Sequence, residues 1–84
     1  MKVRHKLTVQ AKCPVDQKRD VYTCYVYTTT TIKVEDIQAA VAELTKNDAP
    51  VFQEQFTQDL HRALAAKVKT IGYHSTVQTV VIAG

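Results

Sequence analysis

From Val3 to Cys13 the chain alternates with period two: Val3, His5, Leu7, Val9, Ala11 and Cys13 fall on one face, and Arg4, Lys6, Thr8, Gln10 and Lys12 on the other. That pattern predicts a half-buried strand with one solvated side. Pro14 and the polar run Asp16-Gln17-Lys18-Arg19-Asp20 interrupt it. A second strand is expected from Val21 to about Lys33, a stretch dense in Val, Tyr and Thr. The two strands pair as an antiparallel hairpin with Cys13 at its loop end.

The period then changes. Val34, Ile37, Val41 and Leu44 recur at helical spacing, with Glu35 and Asp36 in the first turn, where the helix dipole favours them. Asn47-Asp48-Ala49-Pro50 reads as a break in which Asp48 caps and Pro50 opens the next helix. Phe52, Phe56, Leu60 and Leu64 form that helix's apolar stripe, down to about Ala66. Two short strands follow, Val68 to Tyr73 and Thr76 to Ile82, joined at His74-Ser75. The order β-β-α-α-β-β predicts an α+β domain over residues 1–84, an antiparallel sheet with both helices on one face. The open edges of so small a sheet call for pairing, so a homo-oligomer is expected.

Composition changes this picture little. Apolar residues at 45% and charged residues at 23% suit a globular domain rather than a disordered one. No apolar run approaches the roughly 20 residues of a membrane span. The charged opening Met1-Lys2-Val3-Arg4-His5-Lys6 reads as no targeting segment, so a cytoplasmic protein is expected. Two cysteines make no disulfide framework, and no Cys/His cluster has zinc spacing along the chain, so no metal is expected. A net charge of +3 mildly favours an anionic partner, or reflects lysines dispersed on exposed faces.

Few residues offer chemistry. Cys13 stands at a strand end beside a polar loop, where Lys12, Lys18 and Arg19 are near enough in sequence to stabilise a thiolate. Asp20 lies across the loop, placed to serve as a general acid or base beside the thiol. A half-buried cysteine with an ordinary loop aspartate accounts for the same pair. Gln53-Glu54 opens the second helix; its carboxylate is either a solvated first-turn acid or an acceptor for paired N–H donors of a guanine-like ring. His74 sits in the last turn as a surface histidine or a pocket residue. His61 reads as packing or surface, and Cys24 as a small buried residue. Tyr22, Tyr25 and Tyr27 fit strand packing better than base stacking, lacking an interleaved basic pattern on one face.

At Cys13-Pro14-Val15-Asp16-Gln17-Lys18-Arg19-Asp20 the chain resembles the C-P-x-T-G-x-x-D segment of 7-cyano-7-deazaguanine reductases, the nitrile reductases of queuosine biosynthesis. Asp16 replaces the family's threonine and Gln17 its glycine. Phe52-Gln53-Glu54 is similar to the family's F-H-E segment, and Glu35 stands where the family opens E-x-K-S-x-K. The resemblance implies a tunnelling fold (T-fold), with Cys13 attacking the nitrile to form a thioimide and Asp20 as acid/base. Glu54, with Gln53, Glu35 and His74 beside it, would bind the deazaguanine.

The lysine and serine of E-x-K-S-x-K and the C-terminal arginine-glycine-glycine segment, associated with NADPH, are missing. The pattern therefore looks most like the short reductase-like (QueF-like) amidinotransferases, which add ammonia to the nitrile on tRNA to give archaeosine. That implies 7-cyano-7-deazaguanine, free or in tRNA, as partner, no cofactor, and sites between subunits. NADPH enters only if the chain is a reductase. Gln53-Glu54-Gln55-Phe56-Thr57 also looks like the Q-E-x-L-T of GTP cyclohydrolase I, but the zinc ligands of that family are missing. A non-catalytic T-fold module binding a purine or pterin is the remaining alternative.

Overall fold

The alternation at the start of the chain becomes strand β1, Val3–Lys12, and the expected hairpin forms with β2, Arg19–Thr28. Their register sets Val3 opposite Thr28 and Lys12 opposite Arg19. The computed structural model describes residues 1–84. After β2 come helices α1 (Val34–Leu44) and α2 (Gln53–Leu64), with a short 3-10 turn between them, then β3 (Lys67–His74) and β4 (Val77–Ala83). The strands lie in the order β1-β2-β3-β4, antiparallel throughout. This is the β-β-α-α-β-β T-fold.

Both helices cover one face of the sheet. Val9, Ala11, Tyr22, Cys24, Val26 and Val68 of the strands pack there against Ile37, Phe56 and Leu60 of the helices. Phe56 and Leu60 are fully buried, and α1 adds the partly buried Ala40, Val41 and Leu44. Leu64 joins the core's margin, but Phe52, at the head of the expected stripe, is exposed at the N-cap of α2.

Three expectations are corrected. β2 stops at Thr28, not near Lys33. There the Thr28 hydroxyl accepts the Thr30 N–H at 3.1 Å, and such local side-chain bonds compete with a sheet ladder despite the β-branched run. Asp48 does not cap α2: it ends the 3-10 turn Lys46–Asp48 and pairs with Arg19 at 3.0 Å. No side chain caps α2, whose N-cap residue is Phe52.

The third correction concerns the tyrosines. Tyr25 and Tyr27 do share a face with cations, supplied across the ladder rather than by β2 itself. Arg4 and Lys6 approach the Tyr25 ring at 5.1 and 6.0 Å, and Lys67 the Tyr27 ring at 5.5 Å. Tyr22 points to the opposite, helix-covered face and is buried. No helix is long and apolar enough to cross a membrane.

Candidate active site

Residues at the loop end of the first hairpin meet the start of α2 and the β3–β4 turn. The Cys13 N–H donates to the Lys18 carbonyl at 2.8 Å, one rung beyond β1, and Gln17 closes the loop by donating to the Cys13 carbonyl at 3.0 Å. Gln17 takes a left-handed φ of 62°. That conformation explains why glycine suits this position in the pattern that the segment resembles. Cys13 stays on the inner face of β1 and is buried.

Asp20 pairs with Ala11, two residues before Cys13, so carboxylate and thiol are diagonal neighbours over a small side chain. The Tyr22 hydroxyl donates to Asp20 at 3.4 Å. Burial, and then the Asp20 charge, push the Tyr22 phenol up to about 12. The next strand continues the row: Tyr22 lies opposite Gly72, and His74, two residues on, faces the same way.

One hydrogen bond brings in α2. The Val51 N–H donates to the Lys12 carbonyl at 3.0 Å, pinning the approach to α2 against the residue before Cys13. Gln53, the first residue of α2, donates through Nε2 to the Thr70 hydroxyl at 3.1 Å and to the carbonyls of Thr79 (3.1 Å) and Thr70 (3.3 Å). The Thr57 hydroxyl donates to the Gln53 carbonyl at 2.7 Å and therefore accepts from Thr70, also at 2.7 Å. A closed polar network thus fastens the first turn of α2 to β3 and β4.

The result is a cavity of about 330 Å³, lined by Cys13, Asp20, Tyr22, Gln53, Glu54, His74 and Thr79, with Phe52 and Tyr73 exposed beside them. That volume is at the small end for ligand sites and suits a nucleobase-sized molecule. Glu54 has no ion pair or side-chain hydrogen bond, and its carboxylate is free to receive donors.

A single chain thus gathers five of the six residues singled out in the sequence: Cys13, Asp20, Gln53, Glu54 and His74. Glu35 is not brought there. It is exposed at the start of α1, whose first turns flank Arg4 to Leu7, roughly 20–30 Å along β1 from Cys13. Gln53 contributes less than expected, because its amide donors are committed to the sheet and only its carbonyl oxygen is uncommitted.

None of Lys12, Lys18 and Arg19 lines the cavity, and Arg19 is engaged by Asp48. The basic side chain that the fold brings to Cys13 is instead His74. Sequence reasoning passed over Asp16, whose carboxylate lies with the Cys13 thiol and a His74 ring nitrogen, all within 4.8 Å of one another. The Lys18 backbone N–H, donating at 3.0 Å, holds the Asp16 carboxyl below its ordinary range, with the Cys13 thiol and His74 adding to the effect.

No protein-family model and no curated protein matches the chain. Among solved structures, it is similar to the archaeosine synthase QueF-Like in its apo form, with a TM-score of 0.80 and 21% identity over 98% of this chain and 90% of that one. At that identity the likeness is one of fold, and it is the fold that the Cys13–Asp20 segment implied.

Proposed function

We propose that the protein is a T-fold enzyme that binds 7-cyano-7-deazaguanine, free or carried on tRNA, and converts its nitrile through Cys13. The observation that carries this reading is the single cavity in which Cys13, Asp20 and Glu54 come together. Glu54 receives the paired N–H donors of the purine-like ring, a geometry in which a carboxylate outdoes neutral acceptors. Phe52 and Tyr73, exposed at the cavity, offer faces for the flat ring.

The Cys13 sulfur attacks the nitrile carbon while its proton, relayed through Asp20, passes to the nitrile nitrogen, giving a thioimide. Ammonia then adds to that carbon and the thiol leaves, taking a proton back, so that an amidine forms without any change of oxidation state. The likeness of fold to an archaeosine synthase agrees with this outcome. So does a cavity without lysine or arginine, because the phosphates of NADPH call for cationic donors.

Assembly belongs to the same reading. β1 and β4 are open sheet edges, and β4 exposes Val77, Val80 and Ile82. Pairing of these edges between copies would cover both and set neighbouring cavities around one ring.

Mixing the protein with 7-cyano-7-deazaguanine tests the first step. The intact mass should rise by one ligand, and the rise should vanish in Cys13→Ala. No adduct with either the free base or tRNA carrying it would sink the covalent reading. Ammonia should discharge a preformed adduct as an amidine; discharge by NADPH instead would make the chain a reductase. Binding that persists in Cys13→Ala and Asp20→Ala, with no turnover in the unaltered chain, would point to a non-catalytic module.

A further inference from the structure

Cys13 and Asp16 share one loop and His74 comes from the last hairpin, and the fold sets their thiol, carboxylate and imidazole within 4.8 Å of one another. Zinc bonded to such ligands at about 2.0–2.3 Å holds them roughly 3.5 Å apart, so a small inward movement completes the set. Two of the ligands are anchored through their backbones and the third through its own carboxylate. Cys13 donates to Lys18 at 2.8 Å, and His74 ends β3 opposite Val77. The Asp16 carboxylate accepts the Lys18 N–H on one oxygen, which orients it and leaves the other oxygen free, as partners beyond the ligands do in metal sites. Cys13 is buried, whereas Asp16 and His74 are exposed, so an ion has a path from solvent.

We propose that Cys13, Asp16 and His74 form a three-ligand site for a thiophilic divalent cation, with zinc the best match to a sulfur, nitrogen and oxygen set. The fourth position faces the cavity, since both Cys13 and His74 line it. Binding takes the thiol as thiolate and releases its proton to solvent. One consequence rests on the function proposed above: the bound cation occupies the sulfur that the nitrile needs, so metal and thioimide exclude each other. The site would then act as a reversible block on the nucleophile.

Cobalt(II), a spectroscopic substitute for zinc, tests the site without any turnover. Metal-free full-length protein should bind one equivalent and develop a thiolate-to-cobalt charge-transfer band with tetrahedral d–d bands, and zinc should bleach both. Cys13→Ser should abolish the charge-transfer band. Asp16→Asn and His74→Gln, changes at exposed positions, should each weaken binding by at least about 10-fold, since even partners beyond the ligands are worth about 10–100-fold. Cys24→Ala, which alters the thiol outside the cluster, should leave the spectrum intact.

Cobalt binding with no charge-transfer band, or undiminished in Cys13→Ser, would overturn the proposal. So would affinity unchanged in both Asp16→Asn and His74→Gln. Zinc should also slow alkylation of Cys13, read by peptide mass, and an unchanged rate under saturating zinc counts against the site. The two proposals fail separately. A cobalt thiolate spectrum without a nitrile adduct removes the thioimide and keeps the metal site, and the reverse result removes the metal site alone.

Discussion

Gln53 ties the first turn of α2 to the sheet, and removing its amide group should loosen the wall that carries Glu54. Gln53→Met keeps the straight chain and the helix propensity but deletes both N–H donors. Those two hydrogens serve the Thr70 hydroxyl and carbonyl and the Thr79 carbonyl. A net hydrogen bond contributes about 1 kcal/mol, and acceptors left dry under α2 add to the loss, so about 2–3 kcal/mol is expected. In a domain this small that lowers the thermal midpoint by about 10 °C or more. Gln55→Ala is the control, because the exposed Gln55 donates its side-chain hydrogen bond only to the half-buried Asp59 on its own helix.

Gln53→Glu sharpens the test through pH. Its carboxylate would replace a donor and face two carbonyl oxygens, so the charged form is disfavoured in the folded chain and its pKa is raised. A raised folded pKa means that the variant is nearest to wild type below the unfolded value of about 4.3, and loses stability as pH rises through the folded value. Urea unfolding of both variants and wild type, at about pH 4 and at pH 7, reads this at a fixed protein concentration. A Gln53→Met loss below about 0.5 kcal/mol, or a Gln53→Glu deficit that does not shrink in acid, would refute the network's role.

Three further outcomes follow from the same fold. Gly72→Ala would put its new methyl 2.7 Å from the Tyr22 ring and 3.2 Å from the Gln53 side-chain oxygen, so urea unfolding should show a loss of about 1–3 kcal/mol. Ala65 ends α2 at φ 50°, a left-handed cap where glycine carries no side-chain strain, so Ala65→Gly should stabilise the fold by about 1 kcal/mol, read as a higher thermal midpoint. Burial raises the Cys24 thiol from 9.0 to about 11 and the Tyr22 phenol from 10.0 to about 12. Both shifts are upward, so the stability these groups add is full below pH 9 and is lost as pH climbs towards 11 and 12. Cys24→Ala should flatten the first part of that decline in urea midpoints measured against pH.

Element type was legible wherever the hydrophobic period was long: the alternation into Cys13 and the spacing of Ile37, Phe56 and Leu60 each report one buried face, and these faces make the core. What the period could not report is contact across elements. The cations beside Tyr25 and Tyr27 come from β1 and β3, so no reading along β2 reveals them. Gln53 looked like a ligand-binding residue because its partners, Thr70 and Thr79, lie 17 and 26 residues away. Glu35 shows the converse: a motif position suggested the site, but the ten residues of β1 separate the start of α1 from Cys13. Asp16 is the most instructive case. Against the family pattern it is only a missing threonine, yet with His74 folded over from the last hairpin it surrounds the same thiol that Asp20 adjoins. Two departures from the pattern therefore converge on its most conspicuous residue. On the two proposals, Asp20 carries protons for this thiol while Asp16 and His74 hold a cation to it, so the chemistry of Cys13 turns on which set it engages.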